Sequence, residues 1–428
     1  MKRKLSVLTL GCSKNTVDTE HLLAALADAY EIVPGTPADV FLINTCGFIG
    51  DAKEESVSAI LEAVESRKRG EIGQLVVFGC LSQRYMSELR DEIPEVDAWF
   101  GARELDPVLK YLGAGGRADD SSRRYITEKG KPYAYLKISE GCDRRCSYCA
   151  IPFIRGAHRS VPVERLVEEA RYLASQGVRE LEIIAQDTTF YGLDLYGRRA
   201  LADLLKALSE VEGIDWLRIH YSYPASFPED VLDQMASNPK ICKYLDIPLQ
   251  HISDSVLSRM HRGVDGRWTR ELISKLRERV PGVVLRTTMI VGFPGETEED
   301  FNELLEFVRW AGFERLGAFA YSEEEGTYGA EHFEDDVPEA VKNSRLDALM
   351  QLQSEISARY NRSRIGCVEE VIVDECVDGT LVCRSQASSP DVDGEILIPG
   401  GDESLVGKKI SVRIESADTY DLVASVIR

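Results

Sequence analysis

The chain has 428 residues and is 44% apolar, which allows packed cores in about two to four domains. Its net charge of −21 argues against direct nucleic-acid binding, which usually needs a basic face, and suits a basic protein partner. Ten cysteines are too sparse and too spread for a disulfide scaffold, and reduced thiols fit a cytoplasmic protein.

The opening Met1-Lys2-Arg3-Lys4, the apolar run 5–10 and Gly11-Cys12 have the outline of a short signal peptide. Six apolar residues are too few for that role, so the run reads as a buried first strand. No later stretch approaches the roughly 18 apolar residues that span a membrane, so no membrane partner is expected. Residues 17–29 have helical periodicity, 40–45 is apolar, 51–69 reads as a helix with Asp51 as N-cap, and 75–79 is a third strand. Such alternation predicts a parallel sheet with helices on its faces. Each strand runs into a cysteine, Cys12, Cys46 and Cys80, at intervals of 34 residues. In open parallel sheets ligands bind beyond the strand carboxyl ends. The three thiols are therefore expected at one edge, as metal-cluster ligands. The alternative is buried cysteines placed by chance.

Gly113-Ala114-Gly115-Gly116 and the polar stretch 117–131 read as a linker ending at Pro132. Beyond it stands Gly141-Cys142-Asp143-Arg144-Arg145-Cys146-Ser147-Tyr148-Cys149. The spacing of Cys142, Cys146 and Cys149 is C-x3-C-x2-C, with no fourth cysteine near. Iron–sulfur clusters normally take four cysteines, so three suggest a cubane with one iron left open. A structural zinc site would want four ligands, and a ferredoxin a fourth cysteine.

Six βα units follow, with strands near 134–139, 180–186, 216–223, 244–249, 284–291 and 316–321 and helices such as 163–176, 227–237 and 298–311. A full eight-unit barrel takes about 250 residues, so six units predict a partial, open-sided barrel with its chemistry at the C-terminal mouth. Gln186-Asp187 and Gln250-His251 end two of these strands, and Gly292, Gly295 and Glu296 lie in a turn opening a helix. Both patterns read as ligand contacts, with caps or satisfied core groups as the alternative. Arg144, Arg145, Arg155, His158 and Arg159 form a local basic cluster suited to holding anionic groups, or else a solvated loop. Cys242, Cys367, Cys376 and Cys383 show no ligand spacing. The acidic run 323–339 reads as a surface loop and 338–364 as one long helix. Five short β-branched or alternating runs, 370–374, 381–384, 395–398, 409–414 and 422–427, predict a small antiparallel barrel. The fold class expected is thus α/β: an N-terminal parallel-sheet domain, a central partial (β/α)6 barrel and a C-terminal small antiparallel β-barrel, over 1–114, 128–358 and 361–428.

The strand-end cysteines, the three-cysteine loop and the terminal β-domain resemble the methylthiotransferase family of radical S-adenosylmethionine enzymes, over nearly the whole chain. Leu10-Gly11-Cys12-Ser13-Lys14-Asn15 and Asn44-Thr45-Cys46-Gly47-Phe48-Ile49 look like its N-terminal domain. Ala185-Gln186-Asp187-Thr188-Thr189-Phe190-Tyr191-Gly192-Leu193-Asp194 and Pro248-Leu249-Gln250-His251-Ile252-Ser253 are similar to its radical core. Ser389-Pro390-Asp391-Val392-Asp393-Gly394 resembles the TRAM domain of the RimO branch. That branch modifies small-subunit ribosomal protein S-twelve, and the sister branch modifies an adenosine of transfer RNA with a typically basic TRAM domain. Residues from Asn361 on carry a net −6, which favours the protein substrate.

The resemblance implies two [4Fe-4S] clusters, a radical-generating one on Cys142, Cys146 and Cys149 and an auxiliary one on Cys12, Cys46 and Cys80. It implies S-adenosyl-L-methionine as the other cofactor, with Tyr148 and Arg262 joining Gln186, Asp187, Gln250, His251, Gly292, Gly295 and Glu296 as its contacts. One S-adenosylmethionine would methylate sulfur on the auxiliary cluster. A second would be cleaved to a radical that takes hydrogen from an aspartate β-carbon, where a methylthio group then joins. No separate catalytic side chain is expected. The implied partners are the ribosomal protein and a flavodoxin- or ferredoxin-type electron donor. The rival outside the family is a non-catalytic iron–sulfur protein.

Overall fold

A computed structural model describes residues 2–115 and 122–427, so Met1, Arg428 and 116–121 of the expected linker lie outside the described residues. Strands β1 (Arg3–Thr9), β2 (Tyr30–Ile32), β3 (Ala38–Thr45), β4 (Ile72–Gly79) and β5 (Ala98–Gly101) form a parallel sheet in the order β2-β1-β3-β4-β5. β3 reads as a continuous apolar run because both of its faces are covered. Val40 and Leu42 pack with Leu22, Leu23 and Leu26 of helix α1 (Ser13–Leu26), and Phe41 and Ile43 pack with Ile60 and Val64 of helix α2 (Gly50–Lys68). Helix α3 (Cys80–Glu92) follows β4 directly. Asp51 is not the cap of α2. Ile49 holds that position without a side-chain bond, and Asp51 lies in the first turn, where its charge complements the helix dipole. β2 and β5, of three and four residues, add two strands to the three expected.

The central sheet has six parallel strands in the order β13-β12-β11-β10-β9-β6. They are β6 (Tyr133–Lys137), β9 (Glu180–Ile184), β10 (Trp216–Ile219), β11 (Ile241–Asp246), β12 (Val284–Val291) and β13 (Arg315–Ala320). A small hairpin of β7 (Ser139–Glu140) and β8 (Arg159–Ser160) follows β6. The sheet does not close, so β6 and β13 are free edges, as six units require. Alternate strand residues (Leu136, Leu181, Ile183, Leu217, Ile219, Leu245 and Leu285) join the main apolar cluster with the helices. The residues between them form a mixed face: Glu180, Glu182 and Arg218 stand beside Trp216, Cys242, Tyr244 and Val284, which pack with Ile372 of the C-terminal unit.

That unit is a closed barrel of β14 (Val368–Val377), β15 (Thr380–Ser385), β16 (Ile396–Pro399), β18 (Leu422–Val426) and β17 (Lys409–Ala417). Its β16–β18 seam is parallel, whereas the other pairings are antiparallel as expected. Its strand β15 and the loop that follows meet the polar residues of that face. Arg384 bonds Glu180 at 2.8 Å and Asp374 at 2.6 and 2.9 Å. Arg218 bonds Glu180 at 2.7 Å and the carbonyl of Gln386 at 2.7 Å. The hydroxyls of Tyr133 and Tyr135 donate to Asp391, and that of Tyr244 donates to Asp393 at 2.7 Å. The acidic run 323–339 is not simply a surface loop. It contains a short helix, Tyr328–His332, and Glu324 is buried in ion pairs with Lys53 and Arg84. The long helix spans Glu339–Ser363.

Removing one partner of a buried ion pair leaves an uncompensated charge, at a cost of about 3–5 kcal/mol. Arg384→Met strands Asp374 and half-strands Glu180, so denaturant unfolding is expected to show a stability loss of about that size. An unchanged midpoint would contradict the inserted-arginine account.

Candidate functional site

The first thiol group stands at the carboxyl edge of the N-terminal sheet. Cys12 precedes α1, Cys46 follows β3 and Cys80 opens α3, and β1, β3 and β4 are neighbours. Asn15 is fully buried, and its amide donates to the carbonyls of Leu10 at 2.7 Å and Thr45 at 3.2 Å, tying two strand ends together. Gly11 has φ +87°, and a Cβ there would sit 2.6 Å from Cys46 Cβ and 2.8 Å from its Sγ. Only glycine leaves that space beside the thiol open. Burial pushes the Cys46 thiol up, and it pushes Cys80 up to about 11.

The second group lies on the loop after β7. Gly141, with φ +78°, lets the chain pass where a Cβ would lie 2.1 Å from the Ala157 carbonyl oxygen. Cys142 N–H donates to the Gly156 carbonyl at 3.0 Å, and Cys149 N–H donates to that of Cys146 at 3.1 Å. Burial pushes Cys142 and Cys149 up to about 12, and the neighbouring Cys146 adds to the shift at Cys149. Arg262 meets this group with charge. Its guanidinium donates to Cys146 Sγ at 3.3 Å, to the Tyr148 hydroxyl at 3.2 Å and to the Pro248 carbonyl at 2.5 Å, and it lies 4.3 Å over the Tyr223 ring.

The remaining expected contacts divide by how fully the protein already satisfies them. Asp187 caps the turn Thr188–Phe190 and accepts from Arg144 Nε at 2.9 Å, leaving it a local anchor. Arg144 in turn lies between the Phe190 and Tyr223 rings. Glu296 accepts from Gly292 N–H at 2.7 Å and from Arg345 at 2.9 Å, and the Gly295 carbonyl accepts from Arg259. His251 accepts from Ser253 N–H through Nδ1, and its Nε2 stands 3.6 Å from Glu296. Other atoms lack partners: Gln186 Oε1, Gln250 Oε1, His251 Nε2, Arg144 Nη2 and Arg262 Nε are buried and unbonded. Gln250 also holds φ +77°. Buried polar atoms without partners call for a ligand or water, and these come from the thiol loop and the ends of β9 and β11, or from the turn after Met260.

Among the described residues, no three His, Cys, Asp or Glu side chains converge on a point where one metal ion could sit. A cubane makes a different demand, because each of its corner irons takes its own thiolate and the ligands stand apart. The two cysteine groups, their glycine clearances and the unbonded atoms fit that larger group.

One guanidinium ties the N-terminal thiol group to the central unit. Arg155, 3% exposed, donates to Asp18 at 2.6 Å, to Glu140 at 3.3 Å and to Asn15 Oδ1. Lys137 donates to Asp18 and to Glu140. Burial opposes the charge of Glu140, but Lys137 and Arg155 outweigh it and hold its carboxyl well below the usual range. Glu140 Oε1 then accepts from Gln186 at 2.7 Å. The connection runs Cys80, Asn15, Arg155, Glu140, Gln186, from one thiol group to the mouth of the other unit. The basic cluster seen in the sequence therefore splits. Arg155 is satisfied internally, His158 is buried beside Ser160, and Arg145 and Arg159 are exposed. Sequence reasoning gave no role to Asn15, Asp18 or Glu140. The signal was Asn15 and Asp18 at i, i+3 on the face of α1 just after Cys12.

Three family models match the chain: Radical SAM superfamily over 136–308, Uncharacterized protein family UPF0004 over 4–101 and TRAM domain over 365–427. The chain is 51% identical to the ribosomal protein uS12 methylthiotransferase RimO of Porphyromonas gingivalis, over 100% of the chain and 99% of that protein. It is 49% identical to the RimO of Bacteroides thetaiotaomicron with the same coverage, and 50% identical to that of Flavobacterium johnsoniae over 98% of the chain and 97% of the relative. Among solved structures, the radical S-adenosylmethionine methyltransferase TsrM from Kitasatospora setae shares the fold, at TM-score 0.59 and 15% identity over 77% of each chain. With whole-length identity at this level, the chain belongs to the RimO family of radical S-adenosylmethionine methylthiotransferases.

Proposed function

We infer that this chain adds a methylthio group to the β-carbon of an aspartate of ribosomal protein uS12. Its cofactors are S-adenosylmethionine and [4Fe-4S] clusters. The observation that carries the reading is the presence of two separate three-thiol groups, one at the strand ends of the N-terminal sheet and one on the loop that follows β7. In this reading Cys142, Cys146 and Cys149 hold the radical-generating cluster, and Cys12, Cys46 and Cys80 hold the auxiliary one. When bound, the clusters and S-adenosylmethionine supply the radical chemistry and the sulfur that an unactivated C–H bond requires.

The chain's own residues bind, orient and enclose. Arg262 keeps positive charge against Cys146 and fixes Tyr148 beside it. Gln186 and Gln250 offer free acceptor atoms, and Arg144 a free donor, to S-adenosylmethionine. Asp187, His251, Gly292, Gly295 and Glu296 shape the mouth through bonds within the protein. The N-terminal unit excludes water by spanning that mouth, fixed by Asp18 on one side and by Lys53 and Arg84 on the other. The acidic C-terminal barrel docks the basic ribosomal protein, and a flavodoxin- or ferredoxin-type protein delivers electrons in the cytoplasm. Among the described residues no helix is long and apolar enough to cross a membrane.

Under dithionite, the loaded protein is expected to convert S-adenosylmethionine to 5′-deoxyadenosine. Cys142→Ala should reduce this to background. Cys46→Ala should keep the cleavage and lose methylthio product on uS12, read by mass spectrometry of the substrate. Product formed by Cys46→Ala would contradict the assignment of the auxiliary thiols.

A pH effect follows from burial. The raised thiols favour their neutral form, so in the cluster-free protein they stabilise the fold below their ordinary value of 9.0. That contribution is lost as pH rises toward about 11 for Cys80 and about 12 for Cys142 and Cys149. Denaturant unfolding of cluster-free protein should show stability falling above pH 9.0, with a shallower fall after replacing these three cysteines by alanine. Equal slopes would contradict the burial account. Cluster assembly needs thiolates and should release protons, so loading strengthens with pH.

A further inference from the structure

Arg155 is a buried cation between two proposed cluster sites, and neither its placement nor its partners are explained by ligand binding. It sits on the helix Ile151–Arg155, just past the thiol loop of the central unit, yet two of its three partners, Asp18 and Asn15, belong to the N-terminal unit. Its immediate group is balanced: Lys137 and Arg155 against Asp18 and Glu140. The balance is not symmetric in space. Arg155 holds Asn15, whose Oδ1 lies 3.9 Å from the Cys80 sulfur, and its positive charge opposes the upward push of burial on that thiol. A charge this close in a poorly solvated site is weakly screened. Hydrogen bonding, net charge and solvent exposure set the potential of an iron–sulfur cluster.

We propose that Arg155 is a positioning residue that fastens the N-terminal unit over the barrel mouth and raises the reduction potential of the auxiliary cluster relative to a site without it. This rests on the two-cluster reading above. The fastening follows from the fork of the guanidinium, one arm on Asp18 and Glu140 and the other on Asn15. A guanidinium presents two separate nitrogens in one rigid plane, so one arm holds Asn15 while the other holds Asp18 and Glu140, a geometry that the single ammonium of a lysine does not reproduce. The raised potential follows from sign: a neighbouring positive charge favours the electron-richer state of the cluster. Asp18, which accepts from the guanidinium, has the opposite sign and should act in the opposite direction.

The test is a redox titration of full-length, anaerobically reconstituted protein, following each cluster by electron paramagnetic resonance, with iron and sulfide counted in every sample. Arg155→Gln is expected to lower the auxiliary midpoint potential enough for a tenfold change in the reduced-to-oxidised ratio, about 59 mV for a one-electron couple. The radical-generating cluster, which faces Arg262 instead, should stay where it is. Asp18→Asn should raise the auxiliary potential, although it also breaks the fastening. Arg155→Lys should restore most of the potential, yet leave the N-terminal unit more open to hydrogen exchange along α1. A purely structural role moves Arg155→Gln and Asp18→Asn in the same direction or moves neither potential, and either result overturns the proposal. If Arg155→Gln fails to hold the auxiliary cluster, Arg155→Lys decides: a retained cluster near the wild-type potential supports the proposal, and loss in both overturns it. Wild-type protein with only one cubane would instead overturn the two-cluster reading, a failure the iron count separates from this one.

Discussion

The thiols of Cys80, Cys142 and Cys149 are pushed up by burial to about 11, about 12 and about 12, so they become thiolates only against positive charge. The protein supplies part of that charge through two buried guanidiniums. Arg262 bonds Cys146, and Arg155 acts on Cys80 and Cys12. Neither arginine is left bare. Arg262 is held by the Pro248 carbonyl and the Tyr223 ring, and Arg155 by Asp18, Glu140 and Asn15. Iron supplies the remainder when the clusters are in place. The two sites thus share one logic, and the residues that serve the first reach into the second.

The same contacts answer a problem of the central fold. A six-stranded sheet that does not close leaves two edges, and exposed edges invite pairing with other chains. The N-terminal unit fastens near both. Asp18 meets Lys137 at the end of β6, and Lys53 and Arg84 meet Glu324 just past β13. Lys14 adds a contact from the same unit, 3.1 Å over the Tyr221 ring after β10. The C-terminal unit covers the other face of the sheet with Arg384, Asp391 and Asp393 on its polar residues and Ile372 on its apolar ones. Each outer unit therefore completes the central one, and the mouth under the N-terminal unit holds unbonded buried atoms of Gln186, Gln250, Arg144 and Arg262.

Much of this was legible in the sequence because it is local. Strand–helix alternation is written in apolar runs, and a parallel sheet puts strand-end residues at one edge whatever the details. The C-x3-C-x2-C spacing needs no tertiary knowledge either. What could not be read was pairing across distance. Arg155 and Asp18 are separated by 137 positions, and Arg384 and Glu180 by 204. Glu324 sat in an acidic run whose bulk is exposed, and nothing local distinguished the one carboxylate that is buried. Asp187 carried the mark of a ligand contact, and only the structure shows that its carboxylate also caps the turn it precedes and accepts from Arg144. β2 and β5 are too short to show periodicity.

The central claim is that this one chain holds two cubanes on two separate sets of three cysteines. Iron and sulfide counting, combined with Mössbauer spectroscopy of anaerobically prepared protein, tests it most directly. The account predicts two [4Fe-4S] clusters in the wild-type protein and one in Cys46→Ala. One cluster in the wild type, or two surviving in Cys46→Ala, would contradict it.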